Sequence, residues 1–303
     1  IAANCGGFVH APGIWREDQV AAWKAITDEV HSKGSFIYCQ LFAMGRAGDA
    51  EVAKKEGFAI KAPSAIPIQP GAAVPEAMTI EEIKQTVKDF VDAAKNAIRA
   101  GFDGVEIHGA NGYLLDQFIQ DTSNQRNDEY GGSIENRSRL LIEVIEAVAS
   151  AIGPGRVGLR LSPWSTFQGM RMQDPIPQFT EIINKTRPYG IAYLHVVESR
   201  ISGSEDSNGQ EGLDFAYNNW NGPVLVAGGY TPEEARKLVD EKYPEKDIVV
   251  IFGRYFLSNP DLVYRIKEDL ELNRYDRKSF YVYGSPVGYS DYPFSKEWLA
   301  VGH

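Results

Sequence analysis

Two apolar patterns alternate along this chain. Stretches of five to seven residues hold closely spaced apolar side chains and carry a polar residue or a glycine at or next to their C-terminal end: Ser35–Leu41, Gly104–His108, Val157–Ser162, Ala192–Glu198, Pro223–Gly229 and Ile248–Arg254. Between them run longer stretches in which apolar residues recur every three or four positions. The first pattern predicts strands and the second helices. Strands followed by helices make a parallel sheet, and polar residues collected at strand C-termini place chemistry on one face of an α/β, TIM (β/α)8 barrel. About six units can be read where a closed barrel has eight. Ile1 is followed within a few residues by a helical stretch near Glu17–Lys33. The reading therefore takes residues 1–303 as a single barrel domain whose first two units, roughly 60 residues, precede Ile1.

The clearest helix lies between the first two strands. Ile80, Ile83, Val87, Phe90, Val91, Ala94 and Ile98 share a face, with Glu82, Lys84, Lys88 and Lys95 opposite. Thr79 with Glu82 forms a capping box, and Gly101 stops the helix. A second helix runs from Ser133 to Gly153, and Thr231-Pro232-Glu233-Glu234 opens a third. The segment 42–78, rich in Gly, Ala and Pro, is too long for a strand–helix connection and is expected to cover the barrel mouth as a lid or short hairpin.

Composition narrows the partners. A net charge of −10 argues against nonspecific nucleic-acid binding and against a basic membrane-surface role. No apolar run reaches the roughly 18–20 residues of a membrane span. Cys5 and Cys39 form neither a disulfide framework nor a metal motif, which fits structural thiols, no metal and a cytoplasmic setting. The partner expected is a small molecule, bound by a monomer or homodimer.

The strand ends hold the candidate chemistry. His108 and Asn111, in the loop His108-Gly109-Ala110-Asn111-Gly112-Tyr113, can aim two donors at one acceptor such as a carbonyl oxygen. Tyr113 adds a phenolic proton, and the set suits reduction of a polarised double bond. Gln40 offers a donor and an acceptor to the edge of a heteroaromatic ring. Arg160, flanked by Leu159 and Leu161, needs an anionic partner. Either a buried pair with Glu106 or Glu198 or an anionic cofactor ring would serve. Gly228-Gly229 and Gly253-Arg254, ending the last two strands, stand where barrels often bind phosphate.

The runs GVEIHGANGYLLDQFIQDTSNQRNDEYGGSIENRSR, VGLRLSPW, GPVLVAGG and IFGRYFLSNPDLV resemble, in order and spacing, the Old Yellow Enzyme family of FMN-dependent, NADPH-oxidising ene-reductases. VHAPGIW near the start and NRYDRKSFYVYGSPVGYSDYP near the end resemble its fungal and plant branch. The resemblance implies FMN as cofactor and NADPH as hydride donor. It implies reduction of the activated C=C bond of α,β-unsaturated aldehydes, ketones or nitro compounds. Gln40 and Arg160 would meet the flavin pyrimidine edge, and Gly228, Gly229, Gly253 and Arg254 would grip its phosphate. His108 and Asn111 would bind the substrate oxygen and Tyr113 would protonate Cα. Phe42, Phe167, Phe280 and Tyr281 would line ring and substrate, although core packing suits these aromatics equally. Phe42 stands where many relatives carry Trp, Gly229 where some carry Asn, and Ser199–Asp206 lacks an aromatic that several place over the substrate. Two rival expectations are a pathway-specific fungal enal reductase or isomerase and an inert, truncated barrel.

Overall fold

The computed structural model describes residues 1–203 and 205–302. Its strands are β1 (Tyr38–Leu41), β2 (Lys61–Ala62), β3 (Glu76–Ala77), β4 (Gly104–Gly109), β5 (Val157–Leu161), β6 (Tyr193–Val197), β7 (Ile201–Ser202), β8 (Glu205–Asp206), β9 (Val224–Ala227) and β10 (Ile248–Ile251). All six expected strands are present. Most are shorter than the apolar stretches, because Ser35 lies before its strand and Ser162, Gly228 and Arg254 lie after theirs. The chain divides inside β9 into two compact units, Ile1–Leu225 and Val226–His303.

In the first unit the strand order is β1-β4-β5-β6, and β9 follows. The printed pairings of β1, β4, β5 and β6 are parallel, with Gln40 opposite Glu106, His108 opposite Arg160, and Arg160 opposite His195. Residues in register on neighbouring parallel strands share a face. Gln40, Glu106, His108, Arg160 and His195 therefore line one side of the sheet. Val105, Ile107, Leu159 and Leu194, all fully buried, line the other. Both faces are buried along β4, as a parallel sheet favours, whereas Gln40 on β1 is exposed.

The helix Ile80–Arg99 starts as its sequence dictates. Thr79 Oγ1 accepts from the Glu82 N–H at 3.2 Å, while Glu82 Oε2 accepts from the Thr79 N–H at 2.8 Å. Its buried seam is Ile83, Thr86, Phe90, Ala93, Ala94 and Ala97. Ile80, Val87, Val91 and Ile98 flank that seam half-buried, since the small side chains permit the closest approach. Ser133 caps Ile134–Ile152 through the Asn136 N–H.

One close approach on the polar face is tight. A Cβ on Gly158 would sit 2.1 Å from the Tyr193 ring, so glycine there makes room for Tyr193 beside Glu106. Gly158→Ala is expected to lower stability by about 1–3 kcal/mol through overpacking. Urea unfolding would read this as a lower midpoint at unchanged slope.

The 42–78 segment is not a hairpin. It holds a 3-10 turn (Gly45–Ala47), a helix (Ala50–Glu56) and the β2 and β3 strands, which pair in parallel with Lys61 opposite Glu76. Lys61 also bridges Glu76 and Glu82. The segment is tied to the loops beside it. The Leu114 N–H donates to the Ala43 carbonyl at 2.9 Å, and Arg46 donates to the carbonyls of Pro67, Gln168 and Gly169. Removing all of 42–78 would therefore also strip support from those loops.

In the second unit β10 lies next to β9. Thr231 and Glu234 form the expected capping box at the start of the helix Pro232–Arg236. Gly253 precedes the short helix Arg254–Ser258. The Arg254 guanidinium lies over the Tyr275 ring, 5.0 Å from its centroid. Among the described residues no helix is long and apolar enough to cross a membrane.

Candidate active site

The polar face of the first unit is built around Glu106. Its Oε1 accepts from Gln40 Nε2 at 2.6 Å and its Oε2 from His195 Nδ1 at 2.8 Å. Burial alone would raise this carboxyl. The His195 and Gln40 hydrogen bonds and the nearby Arg160 charge together bring it down to about 2, so it is ionised. The sequence reading offered Glu106 only as a partner for Arg160; the structure gives its two oxygens to Gln40 and His195. The Tyr193 phenol also reaches Glu106, and burial followed by the Glu106 charge pushes it well above its usual range.

Next along the same face come His108, Arg160 and His195 in register. His108 is 4% exposed. Burial first, then the Arg160 charge, hold its imidazole down to about 3, so it is neutral at working pH. The Ala110 N–H donates to His108 Nδ1 at 3.3 Å, which leaves the ring proton on Nε2. His108 is thus a neutral Nε2–H donor. In the unfolded chain His108 would titrate near its ordinary value of 6.5. Between that value and about 3 the unfolded state binds the extra proton, so stability falls as pH falls through this window, by about 1.4 kcal/mol per pH unit. His108→Gln should flatten that limb in urea unfolding carried out from pH 7 to pH 4.

The loop after β4 presents the remaining donors. Asn111 has φ of 55° and uses its backbone to hold the loop. Its N–H donates to Ser162 Oγ at 2.7 Å, and its carbonyl accepts from Gln168 Nε2 at 3.0 Å. Gly112 has φ of 74°, and a Cβ there would lie 2.7 Å from Gln168 Cβ. The Gly112 N–H donates to Asp116 Oδ2 at 2.8 Å, and its carbonyl accepts from Gln117 Nε2 at 2.6 Å. Burial pushes the Asp116 carboxyl up to about 7 against the pull of Gln120, Gly112 and Arg46. Tyr113 caps the helix Leu114–Ile119. Its ring meets His108 edge-on, centroids 5.0 Å apart at 86°, and lies 5.2 Å from Phe42. Phe42 is in turn 6.0 Å from His108.

The first unit thus brings Phe42, His108 and Tyr113 together, with Asn111 in the same loop. Gln40 and Arg160 stand on the face that carries His108. Phe167, 39% exposed, belongs to the turn beside that loop, and a Cβ on Gly203 would lie 2.7 Å from its ring. The remaining candidates belong to the second unit. Gly228 and Gly229 follow β9, with Gly229 at φ of 66°, and Gly253 and Arg254 follow β10. The Phe280 ring is 5.9 Å from Tyr275 and 6.5 Å from Tyr281, which is itself 77% exposed.

Four contributors had no assigned role in the sequence reading: His195, Ser162, Asp116 and Gln168. The sequence carries some signal for them. His195 breaks the apolar run of its strand, and Asp116 and Gln117 are polar residues in a helix that is entirely buried.

An FMN group can be tested against this donor set. Gln40 has its amide nitrogen fixed on an ionised carboxylate, which leaves its carbonyl oxygen and second N–H for a ring edge bearing both acceptor and donor. With both histidines held toward neutrality by burial, Arg160 supplies the positive charge of the row. Gln40 and Arg160 fit the ring edge of that group.

Comparison with known proteins agrees. Residues 1–273 match the model of the NADH:flavin oxidoreductase / NADH oxidase family. The chain is 49% identical over 308 residues to a probable inactive dehydrogenase, easA, of Claviceps purpurea (strain 20.1), covering 99% of this chain and 81% of that protein. It is 48% identical over 307 residues to the NADP-dependent oxidoreductase lnbE of Aspergillus flavus, covering 98% and 81%. It is 48% identical over 302 residues to the chanoclavine-I aldehyde reductase fgaOx3 of Penicillium roqueforti, covering 98% and 82%. Among solved structures, Old Yellow Enzyme from Pichia sp. AKU4542 superposes with a TM-score of 0.90 at 42% identity, over 97% of this chain and 78% of that one.

Proposed function

The chain belongs to the NADH:flavin oxidoreductase / NADH oxidase family, the Old Yellow Enzyme family, and from that membership we propose that it is an FMN-dependent ene-reductase. It uses NADPH to reduce the activated C=C bond of an α,β-unsaturated aldehyde, ketone or nitro compound, on a (β/α)8 barrel and in the cytoplasm. When bound, FMN would supply the redox chemistry, relaying a hydride from NADPH to the alkene. Gln40 and Arg160 would hold its ring edge; Gly228, Gly229, Gly253 and Arg254 would hold its phosphate.

The protein's own part is polarisation and proton delivery. His108, fixed as a neutral Nε2–H donor by the Ala110 N–H, gives a hydrogen bond to the substrate oxygen together with the Asn111 amide. Such donors act as charge builds on that oxygen in the transition state. Tyr113, packed edge-on to His108, gives its phenolic proton to Cα. Phe42 and Phe167 flank these groups as apolar walls. The neutral, tautomer-locked His108 carries this reading most directly, because a donor that stays neutral at working pH polarises a carbonyl without competing for its proton.

Relatives named as aldehyde reductases favour an enal as substrate. A second reading, a catalytically inert chain, is favoured by relatives named a probable inactive dehydrogenase and a probable inactive reductase. Tyr113, His108 and Asn111 support catalysis. The test is product analysis after incubation with NADPH and a simple enal. Saturated aldehyde is expected, rearranged enal would indicate an isomerase, and unchanged enal with a flavin-free protein would indicate the inert chain.

A further inference from the structure

Glu106 is 7% exposed, yet it is an ionised carboxylate. Burying such a charge is costly unless donors surround it, and an apolar side chain would fill the position more cheaply. Its donors are specific. Gln40 Nε2 lies 2.6 Å from one oxygen and His195 Nδ1 2.8 Å from the other. An ionised carboxylate only accepts, so the end of the Gln40 amide turned toward it must be the NH2, and the carbonyl oxygen must be the end turned away. The same logic places the proton of neutral His195 on Nδ1. Its Nε2, buried and without a hydrogen-bond partner among the described residues, is therefore an acceptor. Without Glu106, nothing in this arrangement would select one orientation of the Gln40 amide over its flip.

We propose that Glu106 is a positioning residue for the flavin, locking the Gln40 amide with its carbonyl oxygen outward to accept from the ring imide N–H, and offsetting the charge of Arg160 on the neighbouring strand. This rests on the assignment of FMN to Gln40 and Arg160. His195 completes the device by holding the second oxygen of Glu106, so that the first stays on Gln40. The pair sits one level below His108 on the same strand face, next to the donors but outside the set that meets substrate.

The test is FMN binding to the apoprotein of the full chain at pH 7, read by quenching of FMN fluorescence. It uses the wild type, Glu106→Gln, Gln40→Ala and the double variant. Glu106→Gln should weaken FMN binding about tenfold, the loss of one well-placed hydrogen bond. The double variant should bind no more weakly than Gln40→Ala alone, because Glu106 acts through Gln40. The flavin midpoint potential of Glu106→Gln should also move positive, since a negative charge that acts on Arg160 would be lost, a shift that a purely structural role would not produce. Equal affinities for wild type and Glu106→Gln would overturn the proposal, as would losses that add in the double variant. If Glu106→Gln does not fold, the wild type still decides it by NMR. The Gln40 side-chain amide should show one exchange-protected proton in the apoprotein and keep it when FMN binds, whereas two rapidly exchanging protons would overturn the lock. Failure of the wild-type apoprotein to bind FMN at all would instead remove the functional assignment beneath it.

Discussion

Tyr113→Phe is expected to leave flavin reduction by NADPH near its wild-type rate and to slow alkene reduction by about 10²–10⁴-fold, the usual contribution of a positioned general acid. The two half-reactions separate because hydride donation to the flavin needs no protein acid, whereas saturation of Cα needs a proton. Phenylalanine keeps the ring that meets His108 edge-on and packs 5.2 Å from Phe42, so only the hydroxyl is lost. Stopped-flow traces of each half-reaction check this. Equal slowing of both would make Tyr113 a packing residue, with the proton drawn from elsewhere.

Loss of the two oxygen-directed donors should have the other large effect. Each such donor contributes about 10²–10³ in rate. His108→Ala combined with Asn111→Gly should therefore lose more than either alone, and should weaken binding of phenolate or carbonyl ligands. Glycine is the cleaner replacement at 111, because φ there is 55° and alanine would add backbone strain to the loss of the amide. The N–H that donates to Ser162 Oγ survives in that variant, which keeps the loop anchored. Ligand titration followed through the flavin absorbance bands would measure the loss, and unchanged affinity would move the oxygen site away from the loop after β4.

The strands were legible because each joins a closely spaced apolar stretch to a polar end. The capping boxes at Thr79 and Thr231 were legible because capping is local chemistry. What escaped depends on register between distant segments. That Glu106 would meet Gln40 and His195, not Arg160 alone, follows from Gln40 standing opposite Glu106 and from the side-chain reach that the fold then sets. The 42–78 segment reads as a lid or short hairpin because it is rich in Gly, Ala and Pro and too long for a strand–helix connection. Its β2 and β3 strands instead pair in parallel, and Arg46 reaches the Gln168–Gly169 turn. Asp116 and Gln117 carry no assigned role in the sequence. They are fully buried because they satisfy the backbone of Gly112, at the point where the active loop turns through left-handed geometry.

Anaerobic mixing of the purified wild-type protein, first with NADPH and then with an enal, tests the functional account most directly. Flavin absorbance should be present at the start, bleach with NADPH and return when the enal is added, with one equivalent of saturated aldehyde formed per flavin reoxidised. Flavin that bleaches but is not reoxidised by any enal, enone or nitroalkene would contradict the account.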